Sequence, residues 1–238
     1  MEFTLDRDLL LSTFSPSAEI EAEARMIFNT IHKRKDFSEL HYYQFTKCFG
    51  EDGHLLELER SGILFTDAGN RHNNRVHYEA NIFAFAQNLH ALCDSFPYVA
   101  LRVLGPLEYT GKKGKKTRLT KRQCGWNDTF LKSVEETHPQ LKEFFGQLKR
   151  FASAKKFLLL RGLVNQCKHQ YLPRISNHFT SLHFEVIEYE DAEGKHRREE
   201  NVNAEIMMRR WHNRLLRHVF VLYIRLHRAR LKQLMLEG

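Results

Sequence analysis

A chain of 238 residues, 42% of them hydrophobic, can bury one substantial core without disulfide staples. Cys48, Cys93, Cys124 and Cys167 are dispersed with no C-x-x-C pair. The first residues, Met1-Glu2-Phe3-Thr4-Leu5-Asp6-Arg7, hold no basic segment feeding an apolar one, so a reduced, cytoplasmic protein is expected. The longest apolar runs, Val219 to Ile224 and Phe157 to Leu160, fall far short of the roughly 20 residues that span a bilayer, which excludes membrane insertion on length. A net charge of +8 is moderately basic and admits a polyanionic partner.

Ser15-Pro16 followed by Glu19, Glu21 and Glu23 reads as a helix start: a capping hydroxyl, proline in the first turn, and carboxylates near the positive end of the dipole. Ile20, Ala24, Ile27, Phe28 and Ile31 continue it at helical spacing. From Glu39 to Phe65, Leu40, Tyr42, Phe45 and Phe49, then Leu55, Leu58 and Ile63, stand between glycine-containing turns and predict short strands. Asp67 to Asn74 reads as a loop. Residues 1–74 are therefore expected to form a small α/β segment packed on a helical bundle built from residues 75–238, the whole forming one compact unit.

That bundle begins with a long helix from Arg75 to Leu104, in which Ile82, Phe85, Leu89, Leu92, Phe96 and Val103 make an apolar face and Pro97 should kink or divide it. The basic stretch Gly111 to Gln123 reads as a flexible connection. Phe130 to Val134 and Pro139 to Tyr171 are expected to be helical, with Pro173 ending the longer member. Leu182, Phe184 and Val186 alternate with His183 and Glu185, and Asp191-Ala192-Glu193-Gly194 supplies a turn, so a β-hairpin is predicted at about residues 181–201. A helix from Val202 to Leu236 closes the chain. The expected class is mainly α: a helical bundle of three or more long helices, with a small N-terminal α/β segment and a β-hairpin before the C-terminal helix.

Arg161, Asn165 and His169 recur every four residues, which puts a guanidinium, a carboxamide and an imidazole on one stripe of a helix. Phe157, Leu159, Leu160, Leu163 and Val164 surround them, so the stripe is expected to face the interior of the assembly, where polar groups need partners or a purpose. Gly162 within this helix costs about 1 kcal/mol relative to alanine, which a close approach by another helix or a ligand would explain. His90 and Asp94 form an i, i+4 pair that either orients an imidazole for proton transfer or makes an ordinary intrahelical hydrogen bond. Were their helix the neighbour at Gly162, the five residues would form a cluster. Such a cluster suits a phosphodiester, with arginine compensating charge and histidine moving a proton, and it equally suits a buried network that fixes helix register.

The segment Arg161-x-x-x-Asn165-x-x-Lys168-His169, late in a core helix, resembles the HEPN superfamily of helical proteins, which includes metal-independent RNases of toxin–antitoxin and phage-defence systems. The resemblance covers roughly Arg75 to Leu236. The family pattern sets a histidine one to two turns after the arginine, usually with a polar residue following the arginine. Here Gly162 follows Arg161, Gln166 stands at the nearest histidine position, and His169 falls just past the farthest. The resemblance implies Arg161 as a phosphate contact, His169 as acid or base, Asn165 as a polar helper, and a homodimer in which two motifs face each other. It further implies RNA as substrate and an antitoxin or regulatory protein as partner. A non-catalytic HEPN-like module binding RNA or protein is the alternative.

Polyanion contacts are expected from Lys112, Lys113, Lys115, Lys116 and Arg118. A second basic stripe, Arg210, Arg214, Arg217, Arg225 and Arg228, runs along the C-terminal helix unless Glu185, Glu188 and Glu190 of the hairpin pair with it. Glu135-Glu136-Thr137-His138 is a single E-x-x-H before Pro139, where a di-iron bundle needs two such motifs. With no H-E-x-x-H, EF-hand loop, cysteine cluster or P-loop, neither metal nor cofactor is expected.

Overall fold

The computed structural model describes residues 18–47, 68–111, 114–178 and 181–237. The fold is mainly α, with two small antiparallel sheets. By the density of internal contacts the chain divides into two units, Met1–Lys33 with Ala91–Ala154 and Leu216–Gly238, and Arg34–His90 with Lys155–Leu215.

The first helix, α1 (Ala18–Thr46), runs through the positions from Glu39 onward for which strands are expected. Ile31, Ser38 and Phe45 are buried seven residues apart, while Leu40 and Tyr43 are exposed. The aromatic residues thus follow a helical period, and no glycine or proline interrupts it. The rest of the expected strand region, from Phe49, lies outside the described residues.

Helix α2 (Ala68–Leu104) starts at Ala68, within the loop expected up to Asn74. Extending an existing helix by about two turns needs no new nucleus, so the weak propensities of Gly69, Asn70, Asn73 and Asn74 do not stop it. Pro97 lies inside α2 without dividing it. Proline has no N–H for the carbonyl four residues earlier, which is that of Cys93. That carbonyl accepts instead from the indole Nε1–H of Trp126 at 2.8 Å. The missing rung of the helix ladder is supplied from outside it.

In the first unit Trp126 is the centre of an aromatic core. Its ring stacks on Phe96 (5.5 Å, 15°) and meets Phe151 at 4.8 Å, while Phe96 takes the edge of Tyr223 at 5.0 Å. Of the segment expected to be a flexible connection, the described residues Lys116–Arg118 form a strand, β2, which pairs with β1 (Glu108–Thr110) just before it, in register Glu108↔Arg118 and Thr110↔Lys116. Gly114 closes its turn at φ +71°, and Glu136 and Thr137 of α3 (Asp128–Thr137) accept from the N–H groups of Thr110 and Glu108. Charge makes this segment look like a loop; backbone pairing outweighs charge.

The stretch expected to be helical from Pro139 to Tyr171 is broken. A 3-10 turn (Pro139–Leu141) leads into α4 (Lys142–Ala152), and α5 (Lys155–His169) begins after Ser153-Ala154. Ser153 terminates α4 with both its N–H and its Oγ–H on the Lys149 carbonyl, and Ala154 N–H tightens the end onto Phe151. These side-chain and 3-10 bonds satisfy orphan carbonyls that continuation of the helix would have used.

In the second unit the expected hairpin is β4 (Leu182–Glu190) with β5 (His196–Asn203), joined by a third strand, β3 (Ile175–Asn177), in the order β3-β4-β5. The inward alternation of Leu182 and Phe184 then shifts by one residue, so that Ile187 and Tyr189 are buried and Val186 is only half-buried. Asn201, opposite Glu185 in this register, takes φ +51°, a left-handed conformation that asparagine tolerates, and the regular pleat is interrupted there. The C-terminal helical run starts at α6 (Ala204–Arg210), capped by Asn203 Oδ1 on Ile206 N–H. It passes through a π turn (Trp211–Leu216) and continues as α7 (Arg217–Glu237).

Candidate functional site

Helix α5 buries Phe157, Leu158, Leu160, Leu163 and Val164. The polar stripe emerges along the second half of the helix: Arg161 is half-buried and Asn165 and His169 are exposed. The expectation that these three face the interior is therefore corrected. Phe157 stands four residues before Arg161 on the same stripe and is buried, so the stripe leaves the core as it runs toward the C-terminal end of α5.

Gly162 is the close-approach point, but the element that approaches is strand β4 rather than a helix. A β-carbon on Gly162 would stand 2.5 Å from Tyr189 Cβ and nearer still to the Glu188 carbonyl oxygen. One turn on, buried Gln166 presents its Oε1 to the backbone N–H of Glu188 at 3.1 Å. That bond fixes which end of the carboxamide is oxygen. The Gln166 Nε2 amine is buried and has no hydrogen-bond partner among the described residues.

Glycine and glutamine together seat β4 along α5, and a groove of about 310 Å3 opens beside the seam. Arg161, Asn165 and His169 line its helix side; Glu188, Tyr189, Glu190 and His196 line the other. Arg161 lies with its guanidinium carbon 5.8 Å from the Phe157 ring centre, which steadies a long side chain over an aromatic face. His196 Nε2 stands 4.0 Å from Glu190 Oε1. Burial pushes the Tyr189 phenol above its ordinary range, and its hydroxyl donates to Glu199 at 3.4 Å.

Two imidazoles, a guanidinium and two carboxylates on one small groove can move protons and compensate developing negative charge. Sequence reasoning misses His196, Glu188, Glu190 and Gln166 as groove residues. Gly162 is the available signal, since it calls for a close neighbour, but the identity of that neighbour depends on strand pairing remote in the chain.

His90 is buried, its ring parallel to that of Phe157 at 6.4 Å, and it does not line the groove. Asp94 is exposed and belongs to the other unit. Lys112 and Lys113 lie outside the described residues; Lys115, Lys116 and Arg118 are exposed on or beside the β1–β2 hairpin. Arg210, Arg214 and Arg217 are exposed, while Glu185 and Glu190 of the hairpin lie against Arg174 and His196. Glu136 serves the Thr110 backbone, and His138 is buried. Among the described residues no three histidines, cysteines or carboxylates gather as a metal site, and no helix is long and apolar enough to cross a membrane.

Neither protein-family models, nor curated proteins, nor solved structures yield a match to this chain.

Proposed function

We propose that the chain is a HEPN-like protein whose Arg161 groove binds and cleaves RNA without a metal. The observation that carries this reading is that Arg161 and His169 line one open groove together with a second imidazole, His196. In the proposed reaction one imidazole takes the proton of a ribose 2′-hydroxyl, and the freed oxygen attacks phosphorus as the bond to the 5′ oxygen breaks. The other, protonated, gives its proton to that leaving oxygen. Arg161 compensates charge on the phosphorane-like transition state, and Asn165 with the Gln166 amine supplies further donors. The products are a 2′,3′-cyclic phosphate and a 5′-hydroxyl end.

The test is digestion of a labelled single-stranded RNA in EDTA by wild type and by His169→Ala with an unchanged melting temperature. Equal cleavage by the two proteins rejects the assignment. A second reading, a non-catalytic module that binds RNA or protein, draws support from Glu188 and Glu190, which place negative charge where a phosphate would approach. Under that reading no cyclic phosphate is formed at any protein concentration.

A further inference from the structure

Helix α7 carries Arg225, Arg228, Ala229 and Lys232 at i, i+3, i+4 and i+7, one stripe facing a cavity of about 610 Å3 in the first unit. The opposite wall is the start of α4, from which Lys142, Glu143 and Gln147 project. Ala229 is buried at 6% exposure, and its small side chain gives the cavity depth between flanking long ones. The volume is within the roughly 300–1,000 Å3 of small-molecule sites.

Four side-chain cations line this space against the single carboxylate of Glu143. Among the described residues none of the four, Lys142, Arg225, Arg228 and Lys232, is held in an ion pair. Convergence of unneutralised cations on a concavity raises the local potential and is repulsive unless an anion shares the space. Gln147 adds a buried Oε1 with no partner among the described residues, an acceptor suited to a hydroxyl rather than to a phosphate. Phe144 is the aromatic residue of the lining, and at 6% exposure it offers a base little face to stack on.

We infer that this cavity binds a small ligand carrying a chain of two or more phosphates, with Arg225, Arg228, Lys232 and Lys142 on the phosphates and Gln147 placed to accept from a hydroxyl of the ligand. A nucleoside polyphosphate and inorganic polyphosphate share the recognised chemistry. The site stands apart from the Arg161 groove in residues and in charge, and does not rest on the nuclease reading.

Isothermal titration of the full chain with tripolyphosphate, ATP and adenosine tests this. Tripolyphosphate and ATP should bind with a steep loss on adding salt, and adenosine should not. Tighter binding of ATP identifies the nucleotide as the better source, and equal binding identifies phosphate alone. Exposed-site variants Arg228→Gln and Lys232→Gln, which leave the core untouched, should each weaken binding about tenfold. Ala229→Leu should abolish it by filling the cavity, whereas Arg161→Ala should leave it unchanged. Absence of binding by wild type overturns the proposal. So does binding that survives both charge removals, binding lost in Arg161→Ala, or binding retained by folded Ala229→Leu, since a flat basic surface would account for that last result.

Discussion

Gly162 and Tyr189 meet with no room for a β-carbon between them. The contact involves backbone on the strand side, so no rotamer change can relieve an added methyl. Gly162→Ala gains about 1 kcal/mol of helix propensity but must push strand β4 off α5. A net destabilisation of about 1–3 kcal/mol is expected by urea unfolding, as for overpacked cores. Loss of RNA cleavage should accompany it, because the same displacement moves His196 away from Arg161 and His169.

Histidines on both sides of the groove have equal standing in the proposed reaction. His169→Ala and His196→Ala should each lower RNA cleavage in EDTA by about a hundred- to ten-thousandfold. Arg161→Ala should lower it by about a hundred- to a thousandfold. Glu190→Gln removes a repelling carboxylate and should tighten RNA binding, read by fluorescence anisotropy. Full activity of His196→Ala would remove the strand side from the mechanism.

Trp126 and Pro97 are linked through one carbonyl, that of Cys93. Trp126→Phe keeps a ring in the aromatic core and withdraws the donor, so it should cost about 1–3 kcal/mol. In a Pro97→Ala background the substituted residue regains a backbone N–H that can bond the Cys93 carbonyl, and the same Trp126→Phe change should cost less. A double-mutant cycle by urea unfolding measures the difference. Additive costs would show that the indole bond is unrelated to the proline.

Burial pushes the Cys124 thiol from 9.0 up to about 12 and that of Cys167 up to about 11. Between the unfolded and folded values the folded chain holds more protons than the unfolded one, so stability present below the unfolded pKa is lost as pH rises through this window. Melting temperature should therefore fall between about pH 8.5 and 10.5 more steeply in wild type than in Cys124→Ala. At about pH 8, iodoacetamide should label Cys124 and Cys167 far more slowly in native protein than in urea, as peptide mass spectrometry would show.

The long helices are legible in the sequence because their periodicity is local: the apolar residues from Ile82 to Val103 and from Ile206 to Leu226 repeat at helical spacing and are mostly buried. The β4–β5 hairpin is legible from alternation and a turn. Errors arise where a local signal is ambiguous. Tyr42 and Phe45 suit a strand or a helix equally, and the lysines of the β1–β2 turn conceal a paired backbone. Half of the groove is legible for the same reason that the helix is, since Arg161, Asn165 and His169 are a turn apart. The facing residues belong to β4 and β5, whose register no short-range pattern specifies, and His196 reads from sequence as part of a charged return strand.

The two tryptophans of the chain occupy matching chemical roles. Trp126 gives its indole proton to Cys93 in the first unit, and Trp211 gives its own to the Lys156 carbonyl at 2.8 Å in the second. Each fluorophore is thus tethered to the backbone of its own unit and loses that tether only when the local helix opens. Single-tryptophan versions of this chain carry an optical label already placed for each unit. Two emission signals recorded during denaturation would show whether the units melt as one or in sequence.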